Sequence, residues 1–136
     1  MFPEDTRILI ADDMPTIREL VKNQLRAMGL KNTVEASDGE LALAAVIKAA
    51  DGGDPIKLII SDWNMPNLTG LEFLKQIRAN ARFAKTPFIL LTSETERDQV
   101  TEAILAGVNQ YIVKPFSPKS FEDKLRAVWT KIKAAS

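Results

Sequence analysis

Five short apolar runs alternate with five stretches of helical periodicity along the chain. The runs are Ile8-Leu9-Ile10-Ala11, Thr33-Val34-Glu35-Ala36, Leu58-Ile59-Ile60, Pro87-Phe88-Ile89-Leu90-Leu91 and Tyr111-Ile112-Val113. Three of them are nearly continuous in Ile, Leu, Val or Phe. Strands buried on both faces read this way, because helices cover the two sides of a parallel sheet. The stretches between are amphipathic. Ile17, Leu20, Val21, Leu25 and Met28 recur at helical spacing and are expected to face inward, with Gly29 placed to end that helix. Leu41, Ala45, Val46 and Ala49 do the same in the second helix. Thr69-Gly70-Leu71-Glu72 reads as a capping box that starts the third, with Leu71, Leu74 and Ile77 inward. Val100, Ala103 and Ile104 are the inward set of the fourth, which Gly107 should close. Ser117-Pro118 is an N-cap followed by proline at the first helical position, and Phe121, Leu125, Val128 and Ile132 follow.

Strand and helix in strict alternation imply right-handed crossovers and a single α/β domain, doubly wound, with five parallel strands and five helices. Asp51-Gly52-Gly53-Asp54-Pro55 reads as a loop inside that domain rather than a boundary. Only Lys133-Ala134-Ala135-Ser136 follow the fifth helix, so the expectation is one domain over 1–136, with a core of about 6–132 and no attached output domain.

Composition narrows the chemistry. Lys plus Arg and Asp plus Glu both number 18 in 136 residues, and this zero balance argues against nucleic acid or a membrane surface as the main partner. There is no cysteine, which excludes thiol and Cys-type zinc chemistry, and no histidine, which excludes catalytic triads and His-ligated metals. Any site must be built from Asp, Glu, Lys, Ser, Thr or Tyr. The opening Met1-Phe2-Pro3-Glu4-Asp5 is unlike a signal peptide, and no run approaches the roughly 18 apolar residues of a membrane span, so a cytoplasmic location is the default expectation.

In an open parallel sheet, function gathers at the carboxyl ends of the strands. Four strand ends carry polar residues here: Asp12-Asp13, Asp62, Thr92-Ser93 and Lys114-Pro115. Each has an ordinary reading. One Asp can cap a helix start, Asp62 can stop a strand, Thr92 is a β-former, and most lysines are simply solvated. The set is harder to dismiss. Three carboxylates on one rim repel one another, and a hard cation such as Mg²⁺ relieves that while leaving room for phosphate oxygens. A lysine ending a buried strand can pair with Asp62 and then with a phosphoryl oxygen, and the Thr92 hydroxyl can donate to the same anion.

At this point the chain resembles the receiver domains of bacterial response regulators, and within them the chemotaxis members. Four pieces carry the resemblance: Ile10-Ala11-Asp12-Asp13, Ser61-Asp62-Trp63-Asn64-Met65-Pro66-Asn67, Leu91-Thr92-Ser93-Glu94 and Tyr111-Ile112-Val113-Lys114-Pro115-Phe116. The Asp62-to-Pro66 run followed by Gly70 is the most specific of them. The resemblance implies a flavodoxin-like strand order, 2-1-3-4-5. It makes Asp62 the phosphoryl acceptor. Mg²⁺, or Mn²⁺ in its place, would be held by Asp13 and Asp62, by Asp12 through water, and by the backbone carbonyl of Asn64. It assigns Thr92 and Lys114 to the phosphoryl group, and makes Lys114–Pro115 a cis peptide. Asn64 and Glu94 would set the rate of dephosphorylation. Tyr111 would turn inward when Thr92 moves, although a lone strand tyrosine otherwise reads as packed with its hydroxyl in water.

The implied protein is a monomeric signalling switch. It is not an enzyme in the usual sense, although it catalyses its own phosphorylation and dephosphorylation. A histidine kinase would supply the phosphoryl group, and the surface of the fourth helix, fifth strand and fifth helix would meet a target such as the flagellar motor switch. The alternative is a single-domain receiver that relays phosphoryl groups or regulates a non-motor target. The 51–55 loop is longer than in compact chemotaxis members, and Thr95-Glu96-Arg97 is less basic than in some. Two unrelated functions fit worse. A haloacid-dehalogenase-type phosphohydrolase needs a second Asp two residues after its nucleophile, where Asn64 stands. A flavin module would not place Asp12-Asp13 in its phosphate loop.

Overall fold

The computed structural model of the protein describes residues 1–93 and 99–135. Five strands, β1 (Ile8–Ala11), β2 (Thr33–Ala36), β3 (Leu58–Asp62), β4 (Phe88–Thr92) and β5 (Gln110–Val113), alternate with α1 (Pro15–Ala27), α2 (Gly39–Asp51), α3 (Gly70–Ala79), α4 (Val100–Leu105) and α5 (Pro118–Ala135). All strand pairs are parallel, in the order β2-β1-β3-β4-β5. The doubly wound architecture and the strand order agree with expectation. Strand β3 runs two residues and β4 one residue further than their apolar runs, so that Asp62 and Thr92 are the last residues of their ladders.

Side-chain alternation divides the core in two. Leu9, Ala11, Ile59, Phe88 and Leu90 face α2 and α3, where Val46, Phe73, Leu74 and Ile77 complete one cluster. Ile8, Ile10, Leu58, Ile60, Ile89, Leu91 and Ile112 face α1 and α5, where Val21, Leu25, Phe121, Leu125 and Val128 complete the other. Phe73 meets Phe88 edge-on at 5.3 Å between ring centroids. Both faces of the central strands are therefore dry, and only the strand ends reach solvent.

The helix signals read from sequence are present. Thr69 and Glu72 form the reciprocal capping box of α3. Ser117 Oγ accepts from the Ser120 N–H at the start of α5. The chain turns through left-handed backbone at Gly29, φ 82°, and Gly107, φ 96°, which stop α1 and α4. Three inward assignments are corrected. Leu20, Leu41 and Ile104 are exposed. The buried line of α1 runs through Val21 and Leu25 and leaves Leu20 on its flank. Ala42 and Ala103 take the inward places beside Leu41 and Ile104, so each apolar stripe is narrower than its sequence pattern. The expected 51–55 loop starts one residue later, because Asp51 is the last residue of α2, and Arg7, just before β1, holds it with Nη1 2.8 Å from Asp54 Oδ2.

Candidate functional site

Ladder hydrogen bonds continue past the strand ends and fix the polar rim. The Asp12 N–H donates to Ala36 O at 3.1 Å, Trp63 N–H to Leu91 O at 3.0 Å, and Lys114 N–H to Thr92 O at 2.7 Å. The backbones around Asp12, Asp62, Thr92 and Lys114 are thus held in register by the sheet. Asp12 and Asp62 flank the gap between β1 and β3, where the strand order reverses; an open sheet has its natural crevice at this point.

The side chains converge. One carboxylate oxygen from each of Asp12, Asp13 and Asp62 lies within 4.8 Å of the other two. Asp12 and Asp62 are buried, and Asp13 is exposed at the mouth. Lys114 Nζ stands 2.6 Å from Asp62 Oδ1 and 3.7 Å from Asp12 Oδ2. Burial pushes the Asp12 carboxyl up to about 6 from an ordinary 3.8. The Met14 N–H pulls it back, Asp62 pushes it up, Lys114 lowers it and Asp13 raises it. One lysine thus faces three acids, with repulsion left over.

Among the described residues, the buried Thr92 Oγ1 has no hydrogen-bond partner, and the buried Asp12 Oδ2 has only its 3.7 Å ion pair with Lys114. A buried polar atom without a partner costs about 1–3 kcal/mol, so both oxygens are under-satisfied. An all-oxygen set with excess negative charge suits a hard divalent cation: carboxylates from Asp12, Asp13 and Asp62 fit Mg²⁺ and Mn²⁺, which keep waters on their open positions. The hydroxyl of Thr92, buried at the last residue of β4, suits an incoming anion.

The β3–α3 loop completes the rim. Trp63 and Met65 are buried, while Asn64, Pro66 and Asn67 are exposed. Gly70 closes the loop by donating to Trp63 O at 2.8 Å, and a Cβ there would collide with the Asp62 carbonyl. Tyr111, on β5, is half-buried against the α2–α3 side of the core, with Lys124 Nζ 5.3 Å from its ring centroid. The Lys114–Pro115 peptide is cis.

The family model of the response regulator receiver domain matches residues 8–126. The chain belongs to the response regulator receiver family. It is 42% identical over 129 residues to chemotaxis protein CheY-3 of Vibrio cholerae, covering 95% of each chain. It is 40% identical over 126 residues to chemotaxis protein CheY of Pseudomonas aeruginosa, covering 93% of this chain and 98% of that one. Among solved structures, the chemotaxis response regulator CheY4 of Vibrio cholerae superposes with a TM-score of 0.80 at 36% identity, over 90% of this chain and 98% of that one. The chain is thus a CheY-like receiver domain of the two-component signalling class.

The receiver rim brings together Asp12, Asp13, Asp62, Thr92 and Lys114, as the sequence suggested. Asn64 lies on the adjoining loop, and Tyr111 lies on β5 away from the acids. Glu94 and Thr95-Glu96-Arg97 lie outside the described residues. Sequence reasoning missed two supporting groups. Arg18 Nη1 donates to Asp12 O at 2.7 Å and its Nε to Glu35 Oε1 at 3.2 Å, which braces the first acid from α1. Asp38 caps α2 and also accepts from Asn67 Nδ2 at 2.9 Å. The signal for Asp38 was available, since Ser37-Asp38-Gly39-Glu40 has the pattern of a helix start.

Proposed function

We propose that this receiver domain is a phosphorylation switch in which Asp62 accepts a phosphoryl group from the phosphohistidine of a separate kinase. The observation that carries this reading is the contact of 2.6 Å between Lys114 Nζ and Asp62 Oδ1, beside two further acids and an unpartnered buried hydroxyl. These 136 residues contain no histidine, so the donor histidine lies outside them. A carboxylate oxygen of Asp62 attacks phosphorus in line. The phosphorus–nitrogen bond breaks, its electron pair stays on the imidazole nitrogen, and an acyl phosphate forms on Asp62. Mg²⁺ held by Asp12, Asp13, Asp62 and the Asn64 carbonyl supplies charge neutralisation when bound. Lys114 holds the Asp62 carboxylate in place and then pairs with a phosphoryl oxygen. Thr92 Oγ1 donates to another. Return to the resting state is attack of water at phosphorus, which restores the carboxylate. Asn64 and Glu94 orient that water and set its rate.

Phosphorylation replaces one carboxylate charge with roughly −1.5 to −2. This draws Thr92 toward Asp62, and the space beside β5 opens to Tyr111. Inward rotation of the ring trades its contact with Lys124 for burial and reshapes the α4–β5–α5 face. A target shifts the equilibrium only by its differential affinity for the two states. The names of the CheY relatives support a role in chemotaxis; on this reading the target is the flagellar motor switch or another regulated protein, and the protein acts as a cytoplasmic monomer. Capture of partners with and without beryllofluoride distinguishes a motor component from another regulated protein.

The test of the chemistry is labelling by acetyl phosphate. Wild type is expected to gain one phosphoryl group with Mg²⁺ present, and Asp62→Asn to gain none. Labelling that persists in Asp62→Asn, or proceeds fully in EDTA, removes Asp62 or the metal from the account.

A further inference from the structure

We propose that Asp38 and Asn67 are positioning residues that set the divalent-cation affinity of the rim by tethering the β3–α3 loop to the start of α2. The proposal rests on the reading of the rim as a Mg²⁺ site.

Asp38 does two jobs with two oxygens. Its Oδ1 accepts from Leu41 N–H at 2.7 Å, which is a complete N-cap for α2. Its Oδ2 accepts from Asn67 Nδ2 at 2.9 Å, across 29 residues of sequence. The cap needs only the first bond, so the second has another use. Asn67 shows the same excess. Its φ of 71° places it in left-handed backbone, which glycine would adopt with less strain. An asparagine there brings an amide, and that amide is spent on Asp38.

The tether joins the two segments that bear the acids. On one side, Ala36 O accepts from the Asp12 N–H two residues before Asp38. On the other, Asn67 stands three residues after Asn64 in a loop that is also closed by Leu68 N–H to Pro66 O at 2.8 Å, by Gly70 N–H to Trp63 O at 2.8 Å and by Ser61 Oγ, 3.9 Å from Met65 Sδ. The two segments also touch directly, because a Cβ on Gly39 would collide with the Leu68 carbonyl. Glycine at 39 lets the α2 start come close enough for Asp38 to reach Asn67. The exposed half of the loop, with Asn64, is therefore held against the β1–β2 side of the sheet. Groups that orient metal ligands from behind commonly change affinity by about 10–100-fold, and a solvent-exposed tether that touches no ligand itself falls at or below the low end of that range.

The experiment measures the Mg²⁺ concentration that half-saturates acetyl phosphate labelling, together with the plateau rate. Asn67→Gly keeps the backbone conformation and deletes the amide. Asp38→Ser keeps an N-cap oxygen and deletes the second acceptor. Each is expected to raise the half-saturating Mg²⁺ by about 3–10-fold, with the plateau rate within about twofold of wild type. Asn67→Asp sets carboxylate against carboxylate and should weaken Mg²⁺ at least as much. Asp38→Asn combined with Asn67→Asp reverses the polarity of the bond, keeps the cap and the total charge, and should restore the wild-type value to within about twofold. A general loss of stability would not be repaired by that exchange. An unchanged half-saturation in Asn67→Gly, or a double variant no better than Asn67→Asp alone, overturns the tether and leaves the metal site standing. Wild-type labelling that ignores Mg²⁺ overturns both.

Discussion

The two ends of the sheet solve opposite problems. At the amino end, Arg78 of α3 spends its guanidinium on four acceptors: Gly107 O at 3.0 Å, Thr86 O at 2.7 Å, Phe83 O at 3.4 Å and Asn109 Oδ1 at 2.9 Å. Asn109 Oδ1 also accepts from the Phe88 N–H at 2.8 Å, so one side chain locks the α3–β4 and α4–β5 connections to the start of β4. Burial draws the Arg78 pKa down, but guanidinium stays charged at any physiological pH. At the carboxyl end, among the described residues, three acids face one lysine and two buried oxygens lack hydrogen bonds, Asp12 Oδ2 having only its long ion pair with Lys114. One end is largely satisfied, with Arg7 Nε its buried exception among the described residues. The other holds unmet electrostatic demand that a cation and a phosphoryl group can meet. A residue deleted at the first end should cost stability, and one neutralised at the second should add it.

The largest effect is expected at the satisfied end. Arg78→Ala takes the side-chain donor from Gly107 O and Thr86 O and unties Phe83 O and Asn109, and should destabilise the fold by about 3 kcal/mol, lowering Tm by roughly 10 °C. Arg78→Lys keeps the charge but not the fork of donors, and should fall between. A melt of Arg78→Ala within about 2 °C of wild type would break the comparison.

Next comes Asp12. Its folded pKa, raised to about 6 against an ordinary 3.8, means the folded state holds a proton that the unfolded state has released. Metal-free stability should therefore fall as pH rises from about 4 to about 6, by no more than about 3 kcal/mol, and stay level above. Asp12→Asn should flatten that slope and raise the metal-free Tm at pH 7.5. Asp13→Ala should weaken Mg²⁺ binding while leaving the metal-free fold as stable or more so. A metal-free Asp13→Ala protein that melts clearly lower would show that repulsion does not dominate the rim.

Smaller effects sharpen the contrast. Thr92→Val removes an orphaned hydroxyl at nearly constant shape and should change stability by about 1 kcal/mol or less, in the stabilising direction. It should still reduce the response of the target to phosphorylation. Tyr111→Ala should leave Asp62 open to labelling but shrink the ratio of target affinities with and without beryllofluoride several-fold. An unchanged ratio removes Tyr111 from the coupling.

Much of this was legible in the chain because a buried parallel sheet writes itself in continuous apolar runs, and the polar residues that end those runs land on one rim. Asp12, Asp62, Thr92 and Lys114 could be read that way. Periodicity read the helix faces less well. Leu20, Leu41 and Ile104 match the pattern, yet small neighbours such as Ala42 and Ala103 occupy the inward positions, because helix–sheet distance rather than hydrophobicity decides which residue fits. The bracing of the rim by Arg18 and by the Asp38–Asn67 pair was illegible in kind. Both depend on contacts between segments that are far apart in sequence, and neither residue type stands out on the surface of a charged chain.

The central claim is that the carboxyl rim holds unmet demand which Mg²⁺ and a phosphoryl group satisfy through Asp62, independently of the Arg78 end. The most direct measurement is thermal melting with EDTA, with Mg²⁺, and with Mg²⁺ plus beryllofluoride. In wild type the midpoint should rise at each step. Arg78→Ala should begin lower and show the same increments, since the two ends share no partner. Asp62→Asn should lose the beryllofluoride increment. A beryllofluoride increment that survives intact in Asp62→Asn would contradict the account.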